Sequence, residues 1–214
     1  MSNIILCKLA DQNLRTYGGF QWELNMPPPR LSGVGDLCSS NFYHCYEHPL
    51  LAVLLNPIHA SIENPRGFYI DVEGEAKTDC GLIRGYPYMI LREEFTLPEI
   101  TLNQKLAFGI LCALGVCEDD QFRNWAEKWL SGEDRTAWTA RAACAAALTT
   151  RSAIRAANAA RAAGSTIAAV RAVRAVRAAW SRAWAACAAG RAAEISANKP
   201  LDLIALAEKA LTYN

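Results

Sequence analysis

The chain has 214 residues, with 22 Lys+Arg against 21 Asp+Glu and a formal net charge of +1. That length suits one compact domain or two small ones, and a composition 52 % hydrophobic and 20 % charged excludes wholesale disorder. No apolar run approaches a membrane span, and the opening residues Met1 to Gln12 lack a basic region followed by an apolar stretch. The expectation is therefore a cytoplasmic protein, with no membrane partner and its eight Cys kept as free thiols.

Ile4-Ile5-Leu6 predicts a first strand, and Gly18-Gly19 leads into the alternating run Phe20–Leu24, which predicts a second. Pro27-Pro28-Pro29 and Gly33-Val34-Gly35 punctuate a long loop. Pro49 suits the first position of a short apolar helix over Leu50–Leu55 that stops before Pro57. Phe68–Glu73 is the clearest strand, closed by Gly74. Its expected partner is Tyr88–Arg92, across a loop containing Gly81 and Gly85. Residues 1–98 thus read as a small, mostly antiparallel α+β module.

After Pro98 the period becomes helical. Leu102–Val116 predicts a buried helix. Phe122, Trp125, Ala126, Trp129 and Leu130 follow on one face of another, which Gly132 ends, so 99–133 reads as connecting helices. Residues 134–214 read as an Ala/Arg-rich helical hairpin plus a terminal helix. Ala dominates 135–193, no Pro interrupts it, and Gly164-Ser165 supplies a stop followed by an N-cap. On the second arm Val173, Val176, Trp180, Trp184 and Cys187 fall within an arc of about 80°, opposite Arg171, Arg174 and Arg182, with Arg177 at the stripe's edge. The ten-residue recurrence of Arg at 141, 151, 161, 171 and 191 lacks the fixed bulky residue that a solenoid needs. A last helix is expected from Pro200, with Leu203, Leu206, Ala207, Ala210 and Leu211 on one face.

The near-neutral total hides a split. Residues 135–193 hold ten Arg and no Lys, Asp or Glu, while the tail 194–214 sums to −1, which leaves −8 on residues 1–134. A basic face of this kind fits phosphate or an acidic protein surface. The residues expected to bind a partner are Arg155, Arg161, Arg171, Arg174, Arg177 and Arg182. Intramolecular pairing with the acidic front, or a merely solubilising face, are the competing readings.

Other constellations are weaker. Cys38, His44, Cys45 and His48, with His59 and Cys80, are the right residue types for zinc, but no C-x2-C pair is present and His44 and Cys45 adjoin. Buried structural Cys are the default, so no metal is expected. Asp71, Glu73 and Glu75 alternate on one strand face and read as solvated, as does Glu93-Glu94. No phosphate loop, dinucleotide fingerprint, H-E-x-x-H or G-x-S-x-G is present, and no catalytic residue or cofactor is assigned.

Gly19-Phe20-Gln21-Trp22-Glu23, then Leu37-Cys38 with Phe42-Tyr43-His44-Cys45-Tyr46-Glu47-His48-Pro49-Leu50, resembles a family of uncharacterised phage and prophage proteins. Its members share a G-F-Q-x-E segment, a Cys, a His-Cys pair and a following Pro-Leu helix. Phe68–Glu73 and Glu94–Leu97 also match its layout. The resemblance covers about the first hundred residues and implies a phage-derived protein working inside a bacterial cell, with no activity attached. The leading expectation is a non-enzymatic inhibitor of a host protein or nucleoprotein complex, of the anti-defence or anti-CRISPR type, with a homodimer admitted. The alternatives are a self-assembling structural protein and an ADP-ribosyltransferase-like enzyme. The latter rests on the order Tyr17-Gly18-Gly19, Ser39-Ser40, Glu93-Glu94, an analogy of layout only.

Overall fold

The computed structural model describes residues 4–78, 83–115, 120–136 and 201–213. The chain divides into two compact units, Met1–Glu99 and Ile100–Asn214. The fold is α+β, and every strand pair among the described residues is antiparallel.

In the first unit β1 (Cys7–Ala10), β3 (Arg66–Glu73) and β6 (Tyr88–Phe95) form one sheet in the order β1-β3-β6. A second sheet runs β2-β5-β4, from β2 (Tyr43–Cys45), β5 (Arg84–Tyr86) and the two-residue β4 (Lys77–Thr78). The sheets meet where Cys7 and Tyr46 exchange backbone hydrogen bonds of 3.0 and 2.8 Å. Pro87 alone separates β5 from β6, and its carbonyl accepts from the Leu31 N–H at 2.8 Å.

The expected pairing of Phe68–Glu73 with Tyr88–Arg92 is observed, with Asp71 opposite Ile90 and Glu73 opposite Tyr88. Phe68 and Ile70 turn inward while Tyr69, Asp71 and Glu73 face solvent, as period-two alternation requires. The register shifts between Phe68 and Ile70, where β6 carries an extra residue near Arg92, a bulge that twists this edge. The core gathers Ala10, Trp22, Tyr43, Cys45, Phe68, Ile70, Tyr86, Met89 and Leu91.

Four local expectations are corrected. The first strand is Cys7–Ala10 rather than Ile4–Leu6, because Ile4 and Ile5 are exposed and pairing with β3 begins at Cys7. Phe20–Leu24 is not a strand. It is the return limb of a turn (Tyr17–Gly19 is one 3-10 turn) in which Gly18 and Gly19 hold positive φ, and only Arg15 and Gln21 pair. Trp22 still reaches the core, its indole N–H donating to Thr16 Oγ1 at 3.0 Å. Gly85 lies in a strand, not a loop, paired with His44 and Lys77, and a Cβ there would collide with Leu37 and Phe42.

The fourth correction concerns α1 (Pro49–His59), which begins where expected but runs past Pro57. Its inward residues Leu50, Leu51, Leu54 and Leu55 are buried, and it packs on β1. The end is set by Asn56, whose side chain donates to the Ile62 carbonyl at 2.9 Å and accepts from the Ile62 N–H at 3.0 Å. The Asn56 carbonyl takes the Ala60 and Ser61 N–H groups as well.

The second unit holds α2 (Leu102–Leu114), α3 (Asp120–Ser131) and α4 (Leu203–Ala210). Thr101 and Gln104 form a capping box ahead of α2, the Thr101 N–H donating to Gln104 Oε1 at 2.9 Å. The Gln104 side chain also donates to the Leu211 carbonyl at 3.0 Å, tying α2 to the end of α4. On α3 Phe122, Trp125, Ala126, Trp129 and Leu130 are buried as their spacing predicts, and Gly132 at φ +82 stops the helix. Asp202 caps α4 through the Ala205 N–H at 3.0 Å, so that helix begins at Leu203 rather than Pro200, and Ile204 is buried on it. The expected hairpin turning at Gly164, its Val173–Cys187 stripe and Val116 lie outside the described residues. No helix among the described residues is long and apolar enough to cross a membrane.

Candidate functional site

A group of chemistry-bearing side chains in the first unit is carried by β1, β2 and β5. β2 carries His44 and Cys45, with Tyr46 and Glu47 just beyond. β1 brings Cys7 and Lys8, and β5 brings Arg84 opposite Cys45. Lys8 is buried although it is charged. Its Nζ donates to the His44 carbonyl at 2.6 Å and lies 5.0 Å from the centre of the Trp22 ring. Burial pulls its pKa down from 10.5 to about 8.

The neighbouring sulfurs are buried, which disfavours their thiolate forms. Burial pushes the Cys45 thiol up to about 12, and Cys7 rises for the same reason, helped by Cys45. The Glu47 carboxylate is buried and takes a hydrogen bond from Arg84 Nε at 2.5 Å. This ion pair spans 37 positions of sequence.

Each histidine has a structural partner. The Leu37 carbonyl can only accept, so His44 Nε2–H donates to it, at 2.5 Å. Gly85, opposite His44 in the β2–β5 pair, leaves the space in which Leu37 sits. His48 caps α1, its Nδ1 accepting from the Leu50 N–H at 3.2 Å. His59 closes the same helix with its ring stacked 5.7 Å from Tyr46. Burial lowers His44, and burial with His44 nearby takes His59 down to about 4.

Among the described residues no group of three or more His, Cys, Asp or Glu could hold a metal ion. Cys38 is exposed, Cys45 is buried, and Cys80 lies outside the described residues. Three carboxylates of the β3–β6 pair are held by arginines. Asp71 accepts from Arg92 at 2.6 Å, Glu73 pairs with Arg30, and Glu94 takes two bonds from Arg66 at 2.9 and 2.5 Å. Tyr17 stands exposed on its turn, and Ser39 Oγ accepts from the Asn41 N–H at 3.3 Å.

Arg155, Arg161, Arg171, Arg174, Arg177 and Arg182 all lie outside the described residues. Of the ten arginines in 135–193 the first, Arg135, is described. Its Nε–H donates to the Trp129 carbonyl at 3.1 Å, and its guanidinium lies 4.8 Å from the centre of the Trp129 ring. No protein-family model matches the chain. Neither does any curated protein or solved structure.

Lys8 and the Glu47–Arg84 pair were not identified from sequence. Lys8 leaves one trace there, a lone charge inside the apolar run from Ile4 to Ala10. Its role is testable. Because its folded pKa lies below the unfolded value, Lys8 binds fewer protons in the folded state between pH 8 and 10.5, so its own contribution to stability rises across that window, against the fall that the raised Cys7 and Cys45 thiols contribute above about pH 9. Lys8→Met is expected to remove the Lys8 contribution, so that the variant gains less than wild type with rising pH, and at pH 7 to be neutral or stabilising by up to about 3 kcal/mol. Urea denaturation of both chains from pH 7 to 10.5 checks both expectations. A difference between variant and wild type that does not change with pH would show that Lys8 makes no such contribution.

Proposed function

We propose that the chain is a non-enzymatic phage or prophage interaction protein that binds and occludes a bacterial host macromolecule through the arginines of 135–193. The reading is carried by charge segregation, +10 on that segment against −8 on residues 1–134. The pairs of Asp71, Glu73, Glu94 and Glu47 with arginines of the front unit are neutral in sum and leave that −8 in place. On this reading the basic segment meets an outside surface, a phosphate backbone or an acidic subunit of a host protein or nucleoprotein complex. The resemblance of residues 1–98 to phage and prophage proteins supports an anti-defence inhibitor, anti-CRISPR in type, acting in the bacterial cytoplasm. The Arg66 pair of Glu94 occupies one of the two glutamates on which the ADP-ribosyltransferase alternative rests.

Replacing Arg171, Arg174 and Arg182 together is expected to leave melting unchanged, since exposed ion pairs contribute only about 0–1 kcal/mol. Capture of the partner from bacterial lysate should weaken in the triple variant. Wild-type capture should fall steeply as salt rises, because exposed charges are screened beyond about 8–10 Å. Parallel pull-downs with and without nuclease separate a protein partner from nucleic acid. Capture by the triple variant equal to wild type at every salt concentration would overturn the reading.

A further inference from the structure

Three consecutive prolines, Pro27-Pro28-Pro29, lie between the turn at Asn25 and Leu31. Each ring fixes φ at about −65°, and a residue that precedes a proline is pushed to extended backbone. Met26, Pro27 and Pro28 all precede one, so the run is driven into a polyproline II helix, with three residues per turn. Burial along it has that period. Pro28 and Leu31, three apart, are half-buried, and Leu31 packs on the core, while Met26, Pro27, Pro29 and Arg30 are exposed. One edge of a three-sided rod is thus turned to the protein. The other two, Met26 with Pro29 and Pro27 with Arg30, are turned to solvent.

The rod is held at both ends. The Asn25 N–H donates to the Leu91 carbonyl at 2.9 Å and the Leu31 N–H to the Pro87 carbonyl at 2.8 Å, while the Tyr43 hydroxyl donates to the Pro29 carbonyl at 2.7 Å. Arg30 lies 4.7 Å from the centre of the Tyr88 ring and pairs with Glu73. Between these anchors the chain is unpartnered. The prolines have no N–H, and among the described residues no donor reaches the carbonyl of Pro27 or Pro28. The exposed edges therefore offer pyrrolidine rings, two hydrogen-bond acceptors and the Met26 side chain, which is 55 % exposed.

We propose that residues 26–30 are a preformed polyproline ligand, which docks by its two exposed edges into a partner protein's groove lined with aromatic side chains. Grooves of this kind read the geometry just described, with rings seated between aromatic faces and indole or hydroxyl donors reaching the carbonyls. A segment already extended and anchored loses little conformational entropy when it binds. A phosphate surface does not fit, because the one charge of the run, Arg30, is paired with Glu73. The ligand is separate from the arginines of 135–193 and does not depend on what they bind.

Titration of the full chain against a panel of isolated SH3 and WW domains, which present such grooves, tests this through the fluorescence of their groove tryptophans. At least one domain is expected to bind, and to lose binding when its groove tryptophan is replaced by alanine. Pro27→Ala and Pro29→Ala each remove two methylenes from a docked edge, which should weaken binding about tenfold while circular dichroism shows the chain folded as before. Pro28→Ala, on the inward edge, should change binding by less than about threefold. The proposal is overturned if no domain binds the wild-type chain, or if the three alanine variants bind alike. It is also overturned if the chain alone self-associates in sedimentation and Pro27→Ala and Pro29→Ala abolish this, since the rod then serves a second copy.

Discussion

Arg84→Met is expected to destabilise the first unit by about 3–5 kcal/mol at neutral pH, the largest loss from a single polar side chain in it. Its guanidinium lies 2.5 Å from a Glu47 carboxylate that is only 8 % exposed, so removing Arg84 leaves a charge with neither water nor counter-ion. Truncation of Glu47 alone should also be costly, since it strands the guanidinium. The double variant Glu47→Gln with Arg84→Met should cost much less than the two single losses summed, a coupling that a double-mutant cycle in urea measures directly.

The second large effect belongs to α3. Trp129 is 1 % exposed and Trp125 sits one turn before it, and neither indole N–H has a hydrogen-bond partner. Trp129→Ala is expected to cost about 3–5 kcal/mol through the cavity it opens and the Arg135 contact it removes. Trp129→Phe keeps most of the ring and deletes the unsatisfied donor, so its cost should stay below about 1.5 kcal/mol. Equal losses in the two variants, measured by urea unfolding of the full chain, would mean that the N–H contributes more than the ring.

Elements whose burial follows a local period were legible in the sequence. The β3–β6 pair, the stripe of α3 and the start of α1 at Pro49 each depend on residues a few positions apart. What was not legible depends on distance. β1 is placed by its pairing with β3 and Tyr46, which shifts it from Ile4–Leu6 to Cys7–Ala10. Phe20–Leu24 alternates like a strand, but the left-handed glycines before it turn the chain so that only Gln21 finds a strand-like partner. The end of α1 is written in the Asn56 side chain rather than in Pro57, because a clamp on Ile62 satisfies the terminal groups one turn later. In the candidate site, Lys8 reaches a carbonyl 36 positions away and Glu47 a guanidinium 37 positions away, so no spacing rule connects them. The zinc-type residues were visible, but His48 is spent on a helix cap, His44 on a carbonyl and Cys45 on the core.

The route of β1 has a consequence for how the chain is made. This first strand has no backbone pairing partner among the residues synthesised just after it. Its partners are Tyr46 and, through β3, Tyr69, and the loop beyond it is tied down by still later residues, with Asn25 bonding to Leu91 and to Arg92, 67 positions on. The buried Lys8 acquires its acceptor only when β2 arrives. Nearly the whole unit must therefore leave the ribosome before its first strand is paired, which at about 5–20 residues per second keeps the apolar N-terminal run waiting for several seconds. A nascent chain halted short of β6 should remain protease-sensitive throughout, and one extended beyond Phe95 should become resistant in a single step.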